Sequence, residues 1–278
     1  MDSYYVIGNP VAHSKSPDIH ARFAALTGQT LRYERLLVEP EQFGSRIQEL
    51  IASGVKGCNV TVPFKLQAAA LADPCSDRVK LAGAANTLSF RQGLIHADNT
   101  DGIGLVRDIE VNQGQLLQGQ RVLLLGAGGA AAGALGPLLM AKPSQLVVSN
   151  RTQSKAQALI ERHRHHPSLQ SALSQTELLA LPLDDQLPAF DLVINATAGS
   201  LAGAAPPIAA HALKPNALVY DMMYGPAAQT FLQWASALGA RTRDGLGMLV
   251  EQAAESFFIW RGVRPPTAEV LAQLRQAS

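Results

Sequence analysis

Short runs of apolar residues alternate along the chain with segments in which apolar residues recur every three or four positions. The apolar runs predict strands, in chain order, at Tyr4–Gly8, Tyr33–Val38, Cys58–Val62, Arg121–Leu125, Leu146–Ser149, Leu192–Asn195 and Leu218–Asp221. After the first strand, Ser16 can cap a helix that has Pro17 at its first position and Ile19, Phe23 and Leu26 on one face. Because strands and helices alternate, the pattern predicts parallel α/β sheets.

The pattern changes near residues 101–120, where polar strand ends give way to a dinucleotide-type unit. With 278 residues, the chain is long enough for two domains. We predict one domain from residues 1–102 together with residues 245–278, and a second from residues 103–244. The C-terminal segment is assigned to the first domain because residues at helical spacing form a face that must bury against another element. These residues are Leu249, Ala253, Ser256, Phe257 and Trp260. Gln252 lies off that apolar face.

Composition excludes several classes of function. Hydrophobic residues make up 47% of the chain and charged residues 16%, with a net charge of +1, so neither disorder nor a nucleic-acid partner is expected. Two cysteines are too few for a disulfide framework, which favours a reducing cytoplasm, and no secretory signal is expected. The uncharged stretch 122–141 is rich in glycine and alanine, which predicts a buried strand, a turn and a helix rather than a membrane span.

Three histidines lie close together at His163, His165 and His166. Arginines surround them, and no carboxylate or cysteine stands at a spacing that would complete a metal site. The cluster predicts a solvated helix end, and no metal site is expected.

A glycine-rich turn follows the strand Arg121–Leu125. Gly126, Gly128 and Ala131 match the spacing G-x-G-x-x-A of dinucleotide-binding turns. Gly126 permits the tight turn, Gly128 lets the backbone approach a pyrophosphate, and the small Ala131 lets helix and strand pack closely. The phosphates would then bind at the N-terminus of the next helix, where free N–H groups and the helix dipole favour anions.

The end of the following strand indicates which dinucleotide is bound. It reads Asn150-Arg151-Thr152, with Lys155 one turn further on. An NAD-dependent enzyme would carry an acidic residue here, whereas Arg151 and Lys155 would attract the 2′-phosphate of NADP. NADP is therefore favoured. The alternative is that both cations are ordinary surface charges at a helix start, where they oppose the helix dipole.

Two serines stand where the predicted first helix begins. Ser14 and Ser16 could together hold a carboxylate at that N-terminus. Simple capping by Ser16 is the alternative, and it explains one serine but not both.

Further polar clusters follow other strands of the first domain. Asn59 and Thr61 alternate with valines, which predicts that both point to one side of a strand, and Lys65 comes shortly after. The pair Asn86-Thr87 and the four-residue run Asp98–Asp101 add amide, hydroxyl and carboxylate groups. Each could be a turn by itself. Since ligands bind at the carboxyl ends of strands in open α/β sheets, the clusters together suit a polyhydroxy acid.

Taken as a set, the motifs resemble those of the shikimate dehydrogenase family. They are Gly8–Pro17, Asn59–Lys65, Ala84–Thr87, Asp98–Gly102, Gly126–Ala130, Asn150–Thr152, Asn195–Thr197, Asp221–Tyr224 and Gly245–Gln252, spread along essentially the whole chain. The resemblance implies a substrate-binding α/β sandwich and a Rossmann-type NADP-binding domain, with the active-site cleft between them. It also implies the reversible NADPH-dependent reduction of 3-dehydroshikimate to shikimate, a step of aromatic amino-acid biosynthesis.

The resemblance further implies roles for individual residues. Lys65 and Asp101 would form the catalytic pair. The substrate would be bound by Ser14, Ser16, Asn59, Thr61, Lys65, Asn86, Asp101 and Gln252, with Tyr224 beside it. The cofactor would be bound by Gly126, Ala127, Gly128, Gly129, Ala130, Asn150, Arg151, Thr152 and Lys155, with Thr197, Met222 and Gly245 lining the nicotinamide pocket.

The chain also departs from the family pattern. Ala132 stands where many relatives carry a basic residue, and Lys155 where some carry arginine; both changes weaken the expected grip on the 2′-phosphate. The motif ending at Thr197 continues unusually, as Ala198-Gly199-Ser200.

Two other functions stay open at this stage. An NAD-dependent quinate/shikimate dehydrogenase would be favoured by an acidic residue at position 150, and a non-catalytic sensor of shikimate-type ligands by the loss of Lys65 or Asp101. The expected partner is a small-molecule substrate, a homodimer stays open, and neither nucleic acid nor membrane is expected to bind.

Overall fold

The computed structural model describes residues 1–184, 186–197 and 208–276. The chain divides into two compact units: Met1–Gly104 with the chain from Val250 onward, and Leu105–Leu249. The sequence placed these boundaries after residues 102 and 244, so they differ from the structure by two and five residues.

Strands and helices alternate through most of the described chain. The strands are β1 (Asp2–Gly8), β2 (Leu31–Leu37), β3 (Gly57–Val60), β4 (Thr87–Arg91), β5 (Leu94–Asp98), β6 (Arg121–Leu125), β7 (Gln145–Ser149), β8 (Glu177–Leu181), β9 (Phe190–Asn195), β10 (Leu213–Asp221) and β11 (Arg241–Arg243). The α-helices are α1 (Ser16–Thr27), α2 (Phe43–Ala52), α3 (Lys65–Leu71), α4 (Asp77–Ala82), α5 (Asp101–Arg107), α6 (Gly129–Met140), α7 (Gln153–Arg164), α8 (Gln170–Leu173), α9 (Pro226–Ala237), α10 (Leu246–Arg261) and α11 (Ala268–Gln276). Both unit boundaries fall inside helices, α5 and α10, where a hydrophobic pattern gives no sign of a break.

The first unit is built on a five-stranded sheet with the order β2-β1-β3-β4-β5. β1 pairs in parallel with β2 and β3, whereas β4 is antiparallel to both β3 and β5. The α/β class is confirmed, but the expectation of a purely parallel sheet is wrong for this unit.

The antiparallel part of that sheet comes from a tight hairpin. Arg91 pairs with Leu94, so β4 and β5 are joined by the two residues Gln92 and Gly93, which have φ angles of 52° and 75°. Two central residues with positive φ are the mark of the turn type that matches the twist of adjacent strands. A glycine at the second position suits this geometry, because glycine adopts positive φ without steric strain.

Helix α1 begins differently from the prediction. Lys15 occupies the N-cap position, no side chain caps the helix, and Ser16 is its first residue. Ser16 is therefore not the predicted cap. Ile19 and Phe23 are fully buried, as predicted, but Leu26 is 38% exposed and is not buried with them.

The second unit contains a six-stranded parallel sheet with the order β11-β10-β9-β6-β7-β8. Its central strand β6 is buried along Val122–Leu125, with helix α6 following the glycine turn. β8 and β11 were not predicted. β11 is an edge strand of three residues, Arg241–Arg243, and has no apolar run that could have revealed it.

The stretch 122–141 folds as predicted, into β6, a turn and α6. Among the described residues, no helix has the length and apolar character needed to cross a membrane. The histidine cluster differs from the prediction in one member, because His163 is fully buried on α7. No group of histidine, cysteine and acidic residues suited to a metal ion occurs in the described part of the chain.

Candidate active site

Lys65 and Asp101 lie in contact in the first unit. Lys65 is the first residue of α3, shortly after β3, and Asp101 is the first residue of α5, shortly after β5. Lys65 Nζ lies 2.5 Å from Asp101 Oδ2, and the two side chains are 34% and 17% exposed. The structure thus places an ammonium group and a carboxylate together where solvent still reaches both.

Asn86 fixes the other oxygen of that carboxylate. Its Nδ2, which carries two hydrogens, lies within hydrogen-bond distance of three acceptors: Asp101 Oδ1 at 2.8 Å, Thr100 Oγ1 at 2.9 Å and Gln252 Oε1 at 3.2 Å. Its Oδ1 accepts a hydrogen bond from the backbone N–H of Thr100 at 2.9 Å. Asn86 is buried, so this one amide joins β4, the start of α5 and helix α10 into a single polar group.

The backbone before Asp101 is held by Asn99. Asn99 Oδ1 accepts the N–H of Asp101 at 3.1 Å, and Asn99 Nδ2 donates to the carbonyl of Ala84 at 2.9 Å. The first bond forms an Asx turn, which the sequence suggested as an alternative to a site role for this cluster. Here the turn and the site coincide, because the turn sets the position of Asp101.

Asn59 is directed into the protein interior. Its Oδ1 accepts the hydroxyl of Tyr33 at 2.7 Å, and its Nδ2 donates to Ser256 Oγ at 3.0 Å and Thr87 Oγ1 at 3.1 Å. Burial raises the pKa of Tyr33 well above its usual range, so the phenol stays a neutral donor. Sequence reasoning missed Tyr33 and Ser256. The signal for Ser256 was its position one turn after Gln252, although it also fell within the apolar face of α10.

Thr61 lies just beyond β3 rather than within it. The strand ends at Val60, and Val62 is 69% exposed, so the predicted strand Cys58–Val62 is too long. The N–H of Thr61 donates to the carbonyl of Ile7 at 2.9 Å. A Cβ atom on Gly8 would lie 2.4 Å from Thr61 Cγ2, so the glycine permits this close approach.

Ser14 and Ser16 are linked to each other and to Arg35. Ser14 Oγ accepts the N–H of Ser16 at 3.3 Å. The carbonyl of Ser14 accepts two hydrogen bonds from Arg35, from Nε at 2.9 Å and Nη2 at 2.6 Å. Arg35 was not anticipated from the sequence; it anchors the loop that carries both serines. In the described part of the chain, no hydrogen bond joins either serine directly to Lys65 or Asp101.

The glycine turn of the second unit has the form expected for a pyrophosphate site. Gly126 has a φ of +108°, and a Cβ atom there would lie 3.1 Å from the carbonyl oxygen of Ala196. α6 begins at Gly129 with Gly128 as N-cap and no side-chain cap. Gly128, Gly129 and Ala130 are exposed, whereas Ala131 is fully buried. The N-terminal amides of α6 are thus bordered by residues without bulk, which fits a bound diphosphate.

The end of β7 presents cations and no acid. Arg151 and Lys155 are both exposed, and Lys155 lies in the first turn of α7. Asn150 Nδ2 donates to the carbonyl of Thr152 at 2.9 Å, which closes the turn that carries Arg151. The residues present fit the 2′-phosphate of NADP.

The residues predicted to line the nicotinamide pocket follow the ends of β9, β10 and β11, at Thr197, Met222 and Gly245. Asn195 Oδ1 accepts both the N–H and the hydroxyl of Thr197, at 3.1 and 2.8 Å, and Asn195 Nδ2 donates to Asp221 Oδ2 at 2.9 Å. A Cβ atom on Gly245 would lie 2.2 Å from the carbonyl oxygen of Met222, so only glycine fits there. The unusual continuation 198–200 lies outside the described residues.

Tyr224 follows β10 in the second unit. Burial raises the pKa of its phenol, which therefore stays protonated at neutral pH. Its predicted place beside the substrate stays a prediction.

Comparisons with known proteins agree with the geometry of both units. Three family models match: the substrate-binding domain of shikimate dehydrogenase at residues 6–88, shikimate/quinate 5-dehydrogenase at 109–212, and the C-terminal domain of shikimate 5′-dehydrogenase at 245–275. A shikimate dehydrogenase (NADP(+)) of Acidovorax sp. (strain JS42) is 60% identical over 276 residues, which cover 99% of this chain and 96% of the relative. The chain belongs to the shikimate dehydrogenase family.

Solved structures of similar proteins extend the likeness to three dimensions. An Ael1 enzyme from Pseudomonas putida is 47% identical with a TM-score of 0.91, covering 99% of this chain and 98% of that one. Shikimate 5-dehydrogenase from Thermus thermophilus, in complex with NADP(H) and shikimate, is 31% identical with a TM-score of 0.86 and full coverage of both chains. The family resemblance that the motifs carried is therefore confirmed over the whole chain.

Proposed function

We propose that this chain catalyses the reversible NADPH-dependent reduction of 3-dehydroshikimate to shikimate, as a shikimate dehydrogenase. The observation that carries the proposal is the contact between Lys65 and Asp101, in which Asn86 holds the carboxylate. The family comparison agrees with it, because a 60% identical relative is a shikimate dehydrogenase (NADP(+)). A fold by itself hosts many activities, so the site chemistry has to support the assignment.

Lys65 supplies the acid–base chemistry of the proposed reaction. NADPH, when bound, supplies a hydride to the C3 carbonyl carbon of the substrate. The carbonyl oxygen then gains negative charge. The Lys65 ammonium stabilises this charge and delivers a proton to the oxygen. In the oxidative direction a neutral Lys65 accepts the proton of the C3 hydroxyl.

Asp101 acts as the partner of Lys65 and as a hydrogen-bond acceptor for a substrate hydroxyl. Its Oδ2 orients the ammonium, and its Oδ1 is already fixed by Asn86. Both groups are thus held in place by other side chains of the protein, which is what a catalytic pair requires.

The remaining substrate contacts are assigned by resemblance and by position. Ser14 and Ser16 take the carboxylate, and Thr61 and Gln252 take hydroxyl groups. The amide of Asn59 hydrogen-bonds Tyr33, Thr87 and Ser256, so Asn59 stabilises the interior of the site. The direct substrate contact that the resemblance implied for Asn59 stays a prediction.

The cofactor assignment rests on the second unit. The diphosphate is held by the amides from Gly126 to Ala130, and the 2′-phosphate by Arg151 and Lys155, with Asn150 and Thr152 closing the turn around them. Thr197, Met222 and Gly245 would line the nicotinamide. Ala132, where many relatives carry a basic residue, is buried on α6, so the assignment of the 2′-phosphate rests on the exposed Arg151 and Lys155.

Two alternatives are less well supported. An NAD-dependent quinate/shikimate dehydrogenase would be expected to carry an acidic residue at position 150, where this chain has asparagine. A non-catalytic sensor would have no need of the Lys65–Asp101 contact. A cytoplasmic location and a homodimer stay predictions.

The test is a four-way assay with purified protein. NADPH or NADH formation is followed by absorbance with shikimate or quinate as substrate and NADP or NAD as cofactor. We expect the highest kcat/KM for shikimate with NADP. Equal or better turnover with quinate and NAD would favour the first alternative, and no turnover with any pair, together with measurable shikimate binding, would favour the second.

A further inference from the structure

Arg78, outside the residues assigned above, grips the carboxylate at the end of β5. It is the second residue of α4, and its guanidinium donates to both oxygens of Asp98, from Nε to Oδ1 at 2.8 Å and from Nη2 to Oδ2 at 2.7 Å. The hydroxyl of Ser76 adds a third bond to Oδ1, at 2.8 Å. A bidentate contact of this kind fixes the orientation of the carboxylate as well as its position.

The Asp98 carboxylate that Arg78 binds is linked through the backbone to the catalytic carboxylate of Asp101. Asp98 Oδ1 also accepts the N–H of Asn99 at 2.7 Å, and the side chain of Asn99 in turn accepts the N–H of Asp101 at 3.1 Å. The carboxylates of Asp98, which Arg78 binds, and of Asp101, which contacts Lys65, thus belong to the same short turn. A shift of the Asp98 side chain would therefore move the turn that sets Asp101.

The same guanidinium reaches helix α10. Arg78 Nη1 donates to Glu255 Oε1 at 3.3 Å, and the other oxygen of Glu255 is bound by Arg264. Glu255 lies one helical turn after Gln252, whose Oε1 accepts from Asn86. Arg78 thus ties together two elements that carry substrate-contacting groups, the end of β5 and the middle of α10.

We propose that Arg78 is a positioning residue for the active site, which sets Asp101 and Gln252 relative to each other; the inference rests on the function proposed above. Without Arg78, Asp98 loses its cation, whereas Glu255 keeps Arg264. Asp98 is largely buried, so its carboxylate would then lack the cation that compensates its charge. The turn that carries Asp101 would also lose the contact through Arg78 that ties it to α10.

The test compares three variants in shikimate oxidation with NADP. Arg78→Met should lower kcat/KM for shikimate roughly tenfold or more, because small misplacements of catalytic groups have effects of this size. The KM for NADP should stay within about twofold of wild type, since the affected groups are predicted to contact substrate alone. Arg78→Lys should fall between Arg78→Met and wild type, because an ammonium cannot reproduce the bidentate fork.

Arg264→Met is the matched control. Arg264 binds Glu255 and lies over the ring of Phe258, with no contact to Asp98, so this variant should keep nearly wild-type kcat/KM. An equal loss in Arg264→Met would show that general disruption of the charge cluster, and not the grip on Asp98, is responsible, and would overturn the proposal.

A purely structural role gives a different result. In that case Arg78→Met would melt at lower temperature, but the folded fraction would show wild-type kcat/KM, which also overturns the proposal. If Arg78→Met fails to fold, Arg78→Lys and Asp98→Asn decide the question: wild-type kcat/KM in both would overturn it. A wild-type chain that does not oxidise shikimate with NADP would instead refute the proposed function, so the two failures are distinguishable.

Discussion

His20 should make the stability of this protein depend on pH, although it lies outside the proposed chemistry. It is fully buried on α1, and its ring stacks on Tyr33 with centroids 4.1 Å apart and planes 6° from parallel. Phe23, Phe257 and Trp260 surround it at centroid distances of 6.0, 6.1 and 5.5 Å. This aromatic setting disfavours a charged imidazolium, and burial lowers the pKa of His20 to about 3.

The sign of the effect follows from where the proton binds. In the unfolded chain the imidazole has an ordinary pKa of about 6.5. Between that value and about 3, the unfolded state binds a proton that the folded state does not. The neutral ring therefore contributes stability that is fully present above pH 6.5 and is lost as the pH falls toward 3. From pH 7 to pH 5 the loss due to His20 is about 2 kcal/mol.

The perturbation is His20→Phe, which keeps an aromatic ring against Tyr33 and removes the titrating group. Urea unfolding followed by circular dichroism gives the free energy of unfolding of wild type and variant at pH 7 and pH 5. We expect the variant to lose about 2 kcal/mol less than wild type over this interval. Any packing penalty of the larger ring is the same at both pH values and cancels.

Phe23→Leu is the control, because it disturbs the same aromatic group without removing a titrating side chain. It should destabilise the protein equally at both pH values. If His20→Phe loses as much stability between pH 7 and pH 5 as wild type does, the native imidazole is protonated or solvated at pH 5, and the reasoning from its burial is wrong.

The proposed site gives three further expectations. Lys65→Ala should lower kcat about 10²–10⁴-fold, the usual worth of general acid–base catalysis, while shikimate binding measured by calorimetry persists; turnover above about a tenth of wild type would contradict the assignment. Arg151→Ala should raise the KM for NADP and leave that for NAD nearly unchanged, and equal increases for both would show that Arg151 does not contact the 2′-phosphate. Replacing Ser14 and Ser16 together with alanine should weaken shikimate binding by about 1.5–3 kcal/mol, with a much smaller loss for an analogue that lacks the carboxylate; equal losses would mean that the serines only shape the loop.

Local sequence signals were sufficient for the strand, turn and helix around the glycine motif and for the order of the polar clusters. The apolar run Val122–Leu125 and the glycines after it encode a strand, a turn and a helix by neighbouring residues alone, and the structure has all three. Lys65 and Asp101 were named as a pair by the family resemblance, because the strand before Asp101, β5, was not predicted. In the structure each residue follows a strand of the first unit's sheet. Their contact needed only that both chain segments reach one edge of that sheet.

The hairpin β4–β5 marks the limit of that local reasoning. Thr87–Arg91 alternates polar and apolar residues, and Gln92-Gly93 suits a tight turn, so the signal was present. The hairpin was not predicted, because the α/β pattern on either side favours parallel strands. Whether a strand pairs in parallel depends on its partners in the sheet, and these are not its neighbours in sequence.

The interior of the site was decided by tertiary structure alone. Asn59 donates to Ser256, 197 residues away in the chain, and Arg78 reaches Glu255 across 177 residues. Hydrophobic periodicity assigned Ser256 to an apolar face and gave no reason to single out Arg78. A buried polar group must find a hydrogen-bond partner, but periodicity reports only that a position is buried. The partner is whichever group the packing of distant segments brings within reach, and only the folded chain determines that.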